Sequence, residues 1–319
     1  MNTKTIIIII AAIAVVAVGI FGAINFLQPA EQQELENPIT IVDGTGATVT
    51  IAEYPEKIIS IAPSCTEILF AIGLEDKIVG LPTYDHYSPE IQAAIDSGKI
   101  ATVGDFQTIN IEAVVGLEPD LILSKAGFQL TTATKFRDDL NKTVVILTHS
   151  GFTGYLNDIT LIGKITGQDE EATTFVESIQ AQAQEIVDKT KDLPKPTVYV
   201  EYGGMNSYGN GSVVNELITM AGGVNVFGDY NGQYLTTSTE EVLKANPEII
   251  IISSGVMSSY YACTPEEIAS RQSWGTISAV INNQIYEVDE NLITVAGPNI
   301  VDGLEALAQI FHPDAFSNA

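Results

Sequence analysis

The chain has 319 residues, 45% of them hydrophobic and 17% charged, a globular composition that excludes a disordered or fibrous protein. Its length suits about two domains, each large enough for its own core. Only 14 Lys and Arg stand against 40 Asp and Glu, a formal charge of -26. Such a surface repels phosphate backbones and anionic headgroups, so nucleic acid is excluded as a partner. The two cysteines, Cys65 and Cys263, make no disulfide framework and read as free buried thiols.

At the N-terminus, Lys4 precedes an uncharged run from Thr5 to Leu27. At about 1.5 Å per residue this run can cross a hydrocarbon core of roughly 30 Å. The lysine on its short side predicts a cytoplasmic N-terminus and an exported remainder. Residues 1–30 therefore read as an uncleaved membrane anchor, with a cleaved signal as the alternative. No Cys follows the run, which argues against a lipid-modified anchor. Residues 31–38 read as a polar tether.

Ile39–Val42 and Ala47–Ile51 alternate apolar and polar around Asp43-Gly-Thr-Gly46, which predicts a β-hairpin. A dinucleotide loop is rejected there, because Val49 stands where the third glycine belongs and a strand follows. Lys57–Ala62 predicts a buried strand. Pro63 to Ile72 then predicts a helix, with Ser64 as N-cap and Glu67 as its capping-box partner. Strand and helix keep alternating: Ile78–Leu81, a helix over Glu112–Leu117, a strand over Pro119–Ser124, a helix near Thr131–Leu140, and a strand over Thr143–Leu147. Such alternation implies an α/β fold, a mostly parallel sheet with helices on both faces.

A helical stretch begins near Thr153 and is interrupted at Gly163 and Gly167. It resumes as one long helix over Asp169–Asp192, with a 3.6-residue stripe through Ala172, Phe175, Val176, Ile179, Ala183, Ile186 and Val187. That helix would be about 36 Å long, enough to bridge two lobes as a rigid spine.

The second half repeats the first. Glu112 through Ser124 overlays Glu240 through Ser253, each with a Glu seven residues before a Pro and a strand just after it. Glu67 lies six residues before Gly73, as Glu216 lies six before Gly222. Two matches in the same order argue for two lobes of one design. The expected division is 39–152 for the N-terminal lobe, 153–193 for the helical linker and 194–319 for the C-terminal lobe.

With this architecture, several segments resemble one family: Ile59–Glu67, Tyr84–Tyr87, Asn110–Leu123, Ala221–Phe227, Trp274–Val280 and Ile285–Asp289. The chain is similar to binding proteins with a single spine helix that serve ABC importers of cobalamin, ferric siderophores and haem. The resemblance implies a monomer that captures a metal chelate outside the cell membrane and delivers it to a permease with ATPase subunits. It implies no enzymatic activity and no cofactor. It places docking glutamates, one per lobe, at Glu112 and Glu240.

A cleft at the carboxyl ends of the strands would hold the cargo. Its expected lining is Tyr84, Tyr87, Phe106, Lys125, Tyr202, Tyr208, Tyr234 and Asn291. Flat aromatic faces suit a large planar ligand. Unlike several siderophore receptors, this chain offers no Arg among these residues. Trp274, its single Trp, reads as packing.

Two other readings compete. A free zinc or manganese receptor needs convergent His and carboxylates, and this chain has only His86, His149 and His312. A membrane-anchored sensor or adhesin without transport fits the fold equally, because fold does not fix function. No nucleophile elbow, phosphate loop or zinc-protease motif supports an enzyme.

Overall fold

The computed structural model describes residues 34–84, 88–105, 107–127, 129–148, 151–294 and 297–317. The anchor run therefore lies outside the described residues. Among the described ones, no helix is long and apolar enough to cross a membrane.

A two-stranded ribbon comes first, β1 (Glu34–Val42) and β2 (Thr48–Glu53), paired antiparallel as the alternation predicts. Its turn is tied down by the buried Asp43, whose carboxylate accepts the backbone N–H of Thr45, Ala47 and Ile146 and pairs with Arg137 at 3.2 Å.

The N-terminal sheet holds β3 (Ile58–Ser60), β4 (Ile78–Thr83), β5 (Ala101–Asp105), β6 (Leu121–Lys125) and β7 (Val144–Leu147) in the order β5-β4-β3-β6-β7, all parallel. Its helices are α1 (Pro63–Ala71), α2 (Pro89–Asp96), α3 (Ile111–Gly116) and α4 (Leu130–Asp138). Two long helices follow, α5 (Gly151–Thr166) and α6 (Asp169–Thr190).

The C-terminal sheet is built from β8 (Thr197–Glu201), β10 (Val224–Asn225), β12 (Ile249–Ser254) and β13 (Ile285–Asp289) in the order β10-β8-β12-β13, again all parallel. A small antiparallel pair, β9 (Asn206–Tyr208) and β11 (Tyr234–Thr236), stands apart. The helices here are α7 (Val213–Met220), α8 (Thr239–Ala245), α9 (Val256–Tyr260), α10 (Pro265–Ser270), α11 (Ser278–Ile281), α12 (Glu290–Ile293), α13 (Ile300–Phe311) and α14 (Pro313–Phe316).

The period of two along each strand decides which core a residue joins. Leu121 and Leu123 of β6, with Ile249 and Ile251 of β12, enter one core that runs through both lobes and the two long helices. Ile122 faces a separate core under α3 and α4, and Ile250 and Ile252 face another around Trp274. Each sheet is thus buried on both faces, which explains why its strands read as unbroken apolar runs.

The spine is α6, whose 22 residues span about 33 Å. At its start Ala172 packs against Gly163 of α5, and at its end Thr190 packs against Gly222 of the C-terminal lobe. Ala172, Ile179, Ala183 and Ile186 are buried, as the stripe predicts.

Two local expectations are corrected. Helix α1 is capped by Ala62 with no side-chain cap, because Pro63 takes the first helical position. Ser64 is buried inside the first turn, so Ser64 and Glu67 form no capping box. Nor does Gly163 interrupt α5, which runs unbroken to Thr166. A Cβ at 163 would come within 2.3 Å of Ala172, so this glycine serves helix contact rather than a break.

Candidate functional site

Most of the described ligand candidates lie at or just past the carboxyl end of a strand, while Tyr234 opens β11 opposite Tyr208. Tyr84 follows β4, Lys125 ends β6, Tyr202 follows β8 and Asn291 follows β13. Tyr87 and Phe106 lie outside the described residues.

On the C-terminal lobe, Tyr202, Tyr208 and Tyr234 form one aromatic cluster. Ring centroids are 5.0 Å apart for Tyr202–Tyr208, 6.1 Å for Tyr202–Tyr234 and 5.9 Å for Tyr208–Tyr234. Register explains part of this, since Tyr208 and Tyr234 face each other across β9 and β11. Tyr208 is buried and its hydroxyl donates to Ser253 Oγ at 3.3 Å, fastening the cluster to β12. Burial pushes the Tyr208 phenol pKa up, so it stays neutral. Tyr234 remains 60% exposed.

The loop that carries Tyr202 is held from below. Glu201 is fully buried and accepts two bonds from Arg271, at 2.7 and 2.8 Å, plus the Met205 backbone N–H and the Tyr199 hydroxyl. Arg271 also bonds Glu267 and lies 4.6 Å from the Trp274 ring centroid. Trp274 is therefore packing, as expected.

On the N-terminal lobe, the half-buried Lys125 and Glu67 lie near the buried Asp158, Tyr155 and Cys65. Burial pushes the Lys125 pKa down, opposed by the neighbouring acidic groups Asp158 and Glu67. Burial pushes Glu67 up to about 7, an effect that the Lys125 charge opposes. Tyr84 is half-buried against the shared core. Asn291 donates to Asp289 through both its backbone and its side chain, at 2.9 Å each.

Glu216 joins the two halves by a hydrogen bond, and Glu67 packs against the other half, near these strand ends. Glu216 of α7 accepts the Phe152 N–H, at the start of α5, at 2.7 Å. Gly151 adopts a φ of +73°, and a Cβ there would collide with the Glu216 carboxylate. Glu67 of α1 lies on the turn before α13, with Oε2 3.0 Å from where a Cβ on Gly297 would stand.

Glu112 and Glu240 occupy the same position in their lobes. Each is exposed and second in its helix. Asn110 caps α3 through Ala113 N, and Ser238 caps α8 in a full capping box with Glu241. The internal repeat extends to Asp120, which accepts the N–H of Glu56 and Lys57, and to Glu248, which accepts that of Thr197. Both carboxylates are structural ties at strand starts.

Among the described residues no group of His, Cys, Asp and Glu is placed to hold a metal ion. His86 and His149 lie outside the described residues, and His312 is buried beside Phe311. Both cysteines are free and buried. A cavity of about 450 Å³ opens elsewhere, between Tyr286 and Val288 of β13 and Ala306 and Ile310 of α13, and shares no residue with the candidate site.

No pattern in the sequence singles out Glu201, Arg271 or Asp158. The ion pair joins residues 70 positions apart, and no local pattern announces it.

Comparison with known proteins agrees with this architecture. The periplasmic binding protein family matches residues 58–292. An uncharacterized ABC transporter substrate-binding lipoprotein of Bacillus subtilis is 30% identical, over 96% of this chain and 97% of its own. A cobalamin-binding protein of Halobacterium salinarum is 25% identical, over 96% of this chain and 84% of its own. The crystal structure of a possible iron-binding, periplasmic solute-binding protein from Staphylococcus epidermidis superposes with a TM-score of 0.71 at 26% identity, covering 80% of this chain and 98% of that one. A family match over most of the length, on two parallel-sheet lobes joined by a spine helix, has one meaning: this chain belongs to the periplasmic binding protein family, as a substrate-binding protein of an ABC transporter and not an enzyme.

Proposed function

We propose that this protein captures a cobalamin-type corrinoid between its lobes and delivers it to an ABC permease. The observation that carries this reading is the neutral aromatic wall of Tyr202, Tyr208 and Tyr234. From residue 194 onward the chain has three basic residues, Lys195, Lys244 and Arg271. Lys195 precedes the amino end of β8, Lys244 lies in the last turn of α8, and Arg271 is locked to Glu201 and Glu267. The wall thus offers phenols and no free cation.

A corrinoid is a bulky metal macrocycle rimmed with uncharged amides, which phenols can hydrogen-bond and flank. A ferric tris-catecholate carries several negative charges, and both this wall and a chain charge of -26 disfavour it. The similarity to a cobalamin-binding protein supports the same choice. Lys125, Tyr84 and Asn291 would meet the cargo from the other strand ends, with Tyr87 and Phe106 completing the set.

Glu112 and Glu240 would seat the loaded protein on arginines of the permease, setting orientation more than affinity. The permease and its ATPase subunits would be the protein partners of this monomer, and the Thr5–Leu27 run would hold it to the outer face of the membrane. The test is calorimetric titration of the full chain in mild detergent with cyanocobalamin, haemin, a ferric hydroxamate, a ferric catecholate and zinc chloride. Saturable binding of cyanocobalamin, lost in Tyr202→Ala, is the expected result. Binding of zinc alone would overturn it in favour of a metal-ion receptor. Cargo binding without any association with a permease would favour a sensor.

A further inference from the structure

The tyrosine wall does not stop at the three rings placed there above. Strand β12 ends at Ser254 and runs into α9, which delivers Tyr260 and Tyr261 to the same end of the lobe. Tyr261 lies on Gly204, in the loop just after Tyr202. A Cβ at Gly204 would stand 2.8 Å from the nearest atom of that ring. Gly204 also adopts a φ of +63°, so glycine both permits the turn and leaves room for the ring. Tyr260 packs edge-on against Tyr261, with centroids 5.0 Å apart at 90°.

These rings are exposed where apolar surface is ordinarily hidden. Tyr260 is 78% exposed and Tyr261 43%. Tyr261 lies against the loop that carries Tyr202, so this open aromatic pair borders the wall, and exposed apolar faces of this kind mark binding sites. Every basic residue of this lobe is placed elsewhere, so the extension, like the wall it continues, offers no free cation, and the charged group nearby is the Glu290 carboxylate against Gly255.

We propose that Tyr260 and Tyr261 are cargo-contacting residues that form the outer margin of the ligand wall, with Gly204 as the seat that positions Tyr261. This rests on the reading of the cleft as a corrinoid site and names residues that reading does not require. Tyr261 extends the flat face, and Tyr260, perpendicular to it, meets the edge of a macrocycle too wide for three rings. Aromatic anchors of this kind dominate binding energy once they are desolvated.

The experiment titrates cyanocobalamin into the full chain and its variants in mild detergent, with thermal unfolding measured for each. Tyr260→Ala and Tyr261→Ala are expected to weaken binding by about tenfold or more, with the unfolding temperature unchanged. Gly204→Ala, which puts a methyl group under the ring, should weaken it similarly. Ile281→Ala, an exposed apolar residue before the amino end of β13, should bind as wild type. If Tyr202→Ala weakens binding while Tyr260→Ala and Tyr261→Ala match wild type, the inference is overturned and the corrinoid reading stands. If wild type does not bind cyanocobalamin, both fall together.

Discussion

Glu67 gives the sharpest quantitative prediction. Its carboxyl is half-buried at the meeting of α1 with the turn before α13, and burial lifts its pKa from 4.5 to about 7. The groups around it are Lys125 from β6, Asp158 and Tyr155 from α5, and Cys65 from its own helix. An acid whose pKa is raised by folding binds protons more tightly folded than unfolded. Its contribution is therefore fully present below pH 4.5 and is lost as pH rises through 7. Each tenfold change in proton affinity is worth about 1.4 kcal/mol. The full rise is then roughly 3 kcal/mol, and partial solvent screening brings it to about 2 kcal/mol. Glu67→Gln removes the titration while keeping the shape. Urea unfolding followed by circular dichroism between pH 4 and 8 should show the variant gaining on wild type by about 2 kcal/mol, all of it above pH 4.5. Curves that run parallel across that range would refute the reasoning.

Other perturbations test separate parts of the structure. Arg271→Leu leaves Glu201 buried without its partner and should cost about 3–5 kcal/mol, read by chemical denaturation. The milder Arg271→Lys keeps the charge but loses the two-bond fork to Glu201, and should fall between that variant and wild type. Glu112→Lys with Glu240→Lys should leave cargo affinity unchanged and abolish association with the permease in a pull-down. Loss of cargo binding in that double variant would instead place these glutamates in the site. Gly163→Val sets a branched side chain where Ala172 packs, and should lower the unfolding temperature through overpacking worth about 1–3 kcal/mol.

The lobes were legible because their signals are local. Leu121–Ser124 and Ile249–Ser253 are apolar runs after a proline, and each became a central strand buried on both faces. The stripe from Ala172 to Ile186 became the buried side of the spine. What failed was also local, but was decided by tertiary contact. Ser64 has the chemistry of a cap, yet Pro63 takes the first helical position and pushes the cap back to Ala62. Gly163 has the propensity of a helix breaker, yet packing against Ala172 overrides it. The support beneath Tyr202 could not be read at all, since Glu201 meets Arg271 only after the C-terminal lobe has closed. The exposure of Tyr260 and its neighbour's seat on Gly204 likewise belong to the folded surface.

The way the two halves are joined limits how the protein can signal that it is loaded. One core runs from Ile41 of β1 to Phe311 of α13, through α5 and the spine. A large hinge opening would break that core, because buried side chains close-packed across a joint resist continuous deformation. Glu216 adds a further tie to the first turn of α5, and Glu67 packs against the turn before α13. Small adjustments at the strand ends remain available, where Tyr234 and Tyr260 are open to solvent. Glu112 and Glu240, fixed by capped helices on opposite lobes, would then keep a nearly constant separation. The permease would then distinguish loaded from empty protein at the cleft mouth, by the tyrosines and the cargo itself, and not by a change in the spacing of the two proposed docking points.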